Sequence, residues 1–166
     1  MSLNKIVRTA GAIVLAASAA YGWSAVSTGS NTEQSMIERG RYVARIAGCN
    51  DCHTPNYAQS GGKVPEKDWL IGDRLGWQGS WGTTYPANLR IVLSRISESE
   101  WLHRARSVEY RPPMPWFALR DMSDGDLRAL YRFVRSLGVA GDAAPAYVPP
   151  NLEPRGIAVR FPAAEK

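Results

Sequence analysis

The chain has 166 residues with 45% hydrophobic and 21% charged side chains, ordinary globular values that exclude a disordered, collagen-like or multi-span membrane protein and amount to about one domain. The formal net charge of +5 falls to +3 once Lys5 and Arg8 of the N-terminal segment are set aside, too weak a balance to argue for a nucleic-acid partner. Two Cys allow at most one disulfide, so a disulfide scaffold is excluded.

Residues 1–30 do not read as folded core. Lys5 and Arg8 make a basic start, no charge follows from Thr9 to Thr32, and Ala10–Ala20 is apolar and rich in small residues. This is the layout of a secretory signal, with Ala17-Ser18-Ala19 as the cleavage candidate. The alternative is an uncleaved N-terminal membrane anchor, since the uncharged stretch is long enough to span a bilayer. In either case the basic start stays inside and the rest is exported, which places the chain in the periplasm or facing it.

A first helix is predicted over Ser35–Ala47. Ser35 and Glu38 form a capping box, and Ile37, Gly40, Val43, Ala44 and Ala47 recur at helical spacing, with Gly40 open to close approach by another helix.

Cys49-Asn50-Asp51-Cys52-His53 reads C-x-x-C-H, the attachment signature of c-type haem. Cysteines three apart lie on one face of a helical turn, so both sulfurs can form thioethers to one edge of a porphyrin. His53 is then carried round to reach the iron from one side. A redox dithiol would want a βαβ context, a zinc site would want more ligands than two Cys and two His supply, and a simple disulfide is the third competitor.

The segment from Pro55 to Tyr85 reads as a glycine-rich loop. Trp69, Trp77 and Trp81 within it need burial, which a haem face or an ordinary core would supply. Thr83, Tyr85 and Asn88 are candidates to hydrogen-bond a haem propionate or the ligand loop, against a reading as plain turn residues. A short helix over Glu98–Arg106 is capped by Ser97, with His103 in its middle as a surface residue.

The second iron ligand is sought among Met36, Met114, Met122 and His103, with an open or water-bound site as the remaining alternative. Met114 sits in Arg111-Pro112-Pro113-Met114-Pro115-Trp116, where three prolines stiffen the backbone. Little chain entropy then remains to be lost on ligation, so Met114 is the preferred axial ligand. A last helix is predicted from Asp124 to Leu137, capped by Ser123 and ended by Gly138, with an apolar stripe of Leu127, Leu130, Tyr131, Val134 and Leu137. Arg128, Arg132 and Arg135 lie off that stripe. Pro145, Pro149, Pro150 and Pro154 predict an extended tail over 141–166 that wraps the domain or docks on a partner. No strand alternation of useful length is visible.

A Gly-containing helix, C-x-x-C-H, a long loop, a Pro-flanked Met and a final helix follow in an order that resembles class I cytochrome c, over about Ser35 to Gly138. Arg39-Gly40-Arg41-Tyr42-Val43-Ala44-Arg45, Gly82-Thr83-Thr84-Tyr85-Pro86-Ala87-Asn88-Leu89, Pro113-Met114-Pro115-Trp116 and Met122-Ser123-Asp124 look like the small cytochrome c domains that serve bacterial dehydrogenases, among them the cytochrome subunits of membrane alcohol dehydrogenases. The resemblance implies an all-α cytochrome c fold over residues 31–140, three to four helices around one covalent haem c, with Cys49 and Cys52 as thioethers and His53 and Met114 axial. It implies a one-electron carrier rather than an enzyme. Its donor would be a dehydrogenase or other redox protein, and its acceptor an oxidase or another cytochrome of the respiratory chain. The other functional classes weighed are a haem c enzyme of peroxidase type and a haem-based ligand sensor.

Overall fold

The computed structural model describes residues 26–162, so the proposed export segment, with its Ala17-Ser18-Ala19 cleavage site, lies almost wholly outside the described residues. Helix α1 (Val26–Ile46) runs into the short helix α2 (Cys49–His53), and a 3-10 turn follows at Glu66–Asp68. Strands β1 (Gly76–Gly79) and β2 (Gly82–Thr84) form a hairpin. Helices α3 (Leu89–Ser94), α4 (Glu98–Ser107), α5 (Trp116–Asp121) and α6 (Asp124–Ser136) come next, and β3 (Ala158–Arg160) ends the order.

The main helix contact is the crossing of α1 and α6, and one glycine makes it possible. A Cβ on Gly40 would lie 2.0 Å from Ala129 O and 2.6 Å from Phe133 Cβ. The two backbones therefore touch where any side chain would separate them. Around this point lie Val43 and Ala44 from α1 and Leu127, Leu130, Phe133 and Val134 from α6, all buried. Trp69 stands edge-on to both Tyr57 and Phe133, with ring centroids at 5.7 and 6.2 Å. Arg39 pairs with Asp126 at 2.7 Å across the two helices, and the guanidinium holds the Asp126 carboxyl below the usual carboxylate range.

The predicted later helices form where their caps stand. Ser97 Oγ accepts from Glu100 N at 3.2 Å, and Ser123 Oγ accepts from Asp126 N at 3.1 Å. Gly138 follows α6 at φ +70°. Arg128 and Arg132 lie off the apolar stripe as expected, but both pair with Glu98, at 2.6 and 3.1 Å. The first helix differs from its prediction. It begins at Val26, and Ser35 is interior, its hydroxyl donating back to Thr32 O at 2.8 Å. The apolar stripe ends at Ala44, since Ala47 is exposed.

The expectation of an all-α fold is corrected by a three-stranded mixed sheet of order β2-β1-β3. β1 pairs antiparallel with β2 and parallel with β3, setting Trp77 opposite Thr84 and Val159. The chain is thus mixed α and β, with six α-helices among the described residues where three to four were expected. The third strand comes from the tail, which wraps the hairpin. Phe161 N donates to Gln78 O, and Thr83 and Val148 exchange hydrogen bonds at 2.7 and 3.0 Å.

Two buried polar side chains hold the loops to the helices. Arg90 donates to Gly138 O at 2.5 Å, to Lys67 O at 2.7 Å and to Leu137 O, satisfying carbonyls at the C-terminal end of α6. Asn88 caps α3 by accepting from Ile91 N at 3.1 Å, while its amide donates to Ala140 O and Asp142 O at 2.8 and 3.1 Å.

Gly40→Ala is expected to destabilise the protein by about 2 kcal/mol or more. That corresponds to a Tm fall of roughly 6 °C for a chain of this size; an unchanged Tm would contradict the close crossing. Asn88→Ala is expected to lose about 1–2 kcal/mol in denaturant unfolding. Asn88→Asp, which keeps the cap and loses the two donors, should fall between it and the native chain.

Candidate functional site

The candidate residues Cys49, Cys52 and His53 are brought together on α2, and Gly48 sets that helix. With φ +70° it turns the chain out of α1 in a conformation that favours glycine. Asn50, fully buried, points into the protein and accepts from Thr54 Oγ1 at 2.7 Å. Thr54 Oγ1 in turn accepts from Leu70 N at 2.8 Å. The short helix is therefore anchored by its own second residue, and the two cysteines stand half-buried on either side of it.

Both thiols are free. Burial pushes the Cys49 thiol up to about 11 and raises Cys52 as well, with Asp51 adding to each. A reactive dithiol needs the opposite, a lowered pKa in an electropositive setting. The environment thus argues against redox exchange at this pair.

The His53 ring is fixed by one bond. Nδ1 lies 2.7 Å from Ala87 O. A carbonyl can only accept, so Nδ1 carries the hydrogen and Nε2 keeps its lone pair. Burial lowers the His53 pKa, with the Ala87 bond opposing it. The arrangement yields an oriented, neutral imidazole with one nitrogen available as a metal ligand.

Met114 sits half-buried in the Pro-flanked stretch, packed on the same core as Cys49. Met114 N donates to Arg111 O at 3.3 Å and Trp116 N to Met114 O at 2.9 Å. The segment 84–87 touches both His53 and the Met114 stretch: Thr84 Oγ1 donates to Pro112 O at 2.7 Å, and Ala87 O accepts from His53. Of the other candidates, Met36 is half-buried on α1, Met122 packs on the core at the end of α5, and His103 is exposed on α4. Among the described residues, no three His, Cys, Asp or Glu side chains gather as a metal cage.

The hairpin next to these residues carries donors without acceptors. Trp77 Nε1, Trp81 Nε1 and Thr83 Oγ1 are buried and make no hydrogen bond; Asn50 Nδ2 and the acceptor Gln78 Oε1 are in the same condition. Buried donors normally have a partner, and an indole N–H can only donate. Two indoles packed on one ring, that of Phe161, fit a group bearing carboxylates, whereas Thr83 stands opposite Gln78, on the other face of the hairpin from Trp77. Thr83 was expected in that role, whereas Trp77 and Trp81 were expected only as apolar cover. Tyr85 and Asn88 are occupied elsewhere: the Tyr85 hydroxyl donates to Arg155 O and accepts from Arg155 N, at 3.1 and 2.9 Å, and Asn88 is a cap. Trp69 belongs to the core, its Nε1 donating to Val64 O at 2.8 Å.

A shallow groove lined by Tyr42, Arg45, Ile46, Asp51 and Tyr57 runs beside α2, with Tyr42 and Ile46 largely exposed. A separate cleft between 73–75 and the tail at 155–157 is lined by none of Cys49, Cys52, His53 and Met114. No helix among the described residues is long and apolar enough to cross a membrane.

No family model and no solved structure matches the chain. The cytochrome c subunit of alcohol dehydrogenase (quinone) from Gluconobacter oxydans is 29% identical over 132 residues, covering 69% of this chain and 25% of that protein. A nicotinate dehydrogenase component from Pseudomonas putida is 30% identical over 121 residues, covering 67% of this chain and 9% of that protein. The chain therefore spans about a quarter of the first relative and about a tenth of the second. It is similar to parts of two dehydrogenase subunits, one of them a cytochrome c subunit.

Proposed function

We propose that the chain is a monohaem c-type cytochrome that carries single electrons from a dehydrogenase towards the respiratory chain. The observation that carries this reading is C-x-x-C-H on a short anchored helix, with the His53 imidazole held neutral by burial, oriented by Ala87 O, and its Nε2 left free. Similarity to a cytochrome c subunit supports it independently.

Haem c, when bound, supplies the one-electron couple between Fe(III) and Fe(II). Cys49 and Cys52 would tether it through thioethers, so that it is not lost between partners. His53 Nε2 and the Met114 sulfur would hold its iron. A His and Met pair raises the reduction potential relative to other ligand sets. The Trp77 and Trp81 indoles would donate to the propionates, which gives these unpartnered donors acceptors. The groove at Tyr42 and Ile46 offers partly apolar contact beside the cysteines, suited to the small, weak interfaces of electron-transfer encounters. The basic, then apolar, N-terminal segment supports export to the periplasm, by a cleaved signal or on a retained anchor. The dehydrogenase as donor and an oxidase or cytochrome as acceptor belong to the same reading.

The ferric protein is expected to show the weak near-infrared band of sulfur bound to iron. Met114→Ala should abolish that band, lower the reduction potential and allow the reduced protein to bind carbon monoxide, which the native protein should refuse. An unchanged spectrum and potential in the variant would reject Met114 as ligand. Prompt carbon monoxide binding by the native protein would favour an enzyme or a sensor over a carrier.

A further inference from the structure

Residues 108–115, which carry Met114, belong to no helix or strand. Besides the packing of Met114 on the core, two polar side-chain contacts among the described residues tie this stretch to other segments. One is the Thr84 hydroxyl on Pro112 O. The other is the Arg111 guanidinium, which lies 4.0 Å from the centre of the Tyr147 ring. Tyr147 comes from the tail, far from Met114 in sequence, and is itself fixed on the hairpin. Its hydroxyl donates to Trp81 O at 2.9 Å, and its neighbour Val148 exchanges backbone hydrogen bonds with Thr83. Gly82 makes room for this: a Cβ there would lie 2.4 Å from Val148 O and 2.8 Å from the Tyr147 hydroxyl oxygen. One tail residue thus joins the hairpin that bears the unpartnered donors to the loop that bears the sulfur.

We propose that Tyr147 is a positioning residue for Met114, clamping Arg111, three residues before the sulfur, against β2. The proposal rests on Met114 being the axial ligand. The clamp acts on the free energy needed to swing the sulfur away, because Arg111 must leave the ring before the loop can open. A partly exposed cation–π contact of this kind is worth about a two- to fivefold change in that opening equilibrium.

The test uses the full haem-loaded protein and follows the rate at which added imidazole displaces the sulfur in the ferric state, read as loss of the near-infrared band. Tyr147→Leu is expected to speed displacement about two- to fivefold. Tyr147→Phe, which keeps the ring and loses the bond to Trp81, should give a smaller increase. Arg111→Gln alters an exposed side chain and serves as the second variant; it should speed displacement by no more than Tyr147→Leu does, since it leaves the Tyr147 bond to Trp81 in place. The double variant should be no faster than Tyr147→Leu alone, because that change already removes the contact with Arg111. Unchanged displacement in both single variants, or effects that simply multiply, would overturn the clamp. A lower melting temperature with an unchanged displacement rate would likewise assign Tyr147 a structural role only and overturn it. A native protein that lacks the sulfur band would instead refute the axial reading of Met114, a result separate from failure of the clamp.

Discussion

The structure depends on the contact of two backbones at Gly40. With no side chain between them, α1 and α6 meet at Ala129, and the buried faces of both helices close around Phe133 and Leu127. That crossing fixes the far end of α1, and α2 follows α1 after only Ala47 and Gly48. The orientation of the two cysteines and His53 is thereby tied to the core rather than to a free loop. Asn50 completes the connection from within α2, since its buried amide reaches Thr54 and, through it, Leu70.

The second level of organisation is the strand-and-turn layer that faces these residues. The stretch from Trp77 to Asn88 supplies the carbonyl that orients His53, the hydroxyl that holds Pro112, the cap that starts α3 and the buried donors without partners. A neutral imidazole, two thiols held protonated by burial, and buried donors without partners make up this environment. The same environment is poorly suited to thiol exchange. The tail closes the layer from outside, through Phe161 on Trp77 and Trp81 and Val148 on Thr83.

Local signals were legible wherever local chemistry decides the outcome. Ser97 and Ser123 are caps in both sequence and structure, and Gly40 reads as a close-approach point because a period of helical apolar residues surrounds it. C-x-x-C-H is legible because its spacing alone brings two thiols and an imidazole onto one turn. Ser35 misled because a capping box inside a longer helix looks the same as one at its start; the hydroxyl there bonds back along the helix instead. The strands were missed because they are three or four residues long and interrupted by Gly76, Gly79 and Gly82, so they show no alternation. The partner of β1 on its other side is β3, some 80 residues away, and nothing in either segment announces that pairing. Trp77 and Trp81 read as apolar bulk because the partners of an indole N–H are set by the fold and not by the neighbouring sequence. Asn88 and Arg90 likewise owe their roles to carbonyls brought from 137–142 by the fold.

The measurement that bears most directly on the central claim is haem retention after denaturation. The full chain, expressed in cells competent for c-type maturation, would be run on a denaturing gel and stained for haem-dependent peroxidase activity. A stained band at the mass of the chain, lost when Cys49 and Cys52 are both changed to Ser, is the predicted result. A colourless band from the native chain would contradict the account.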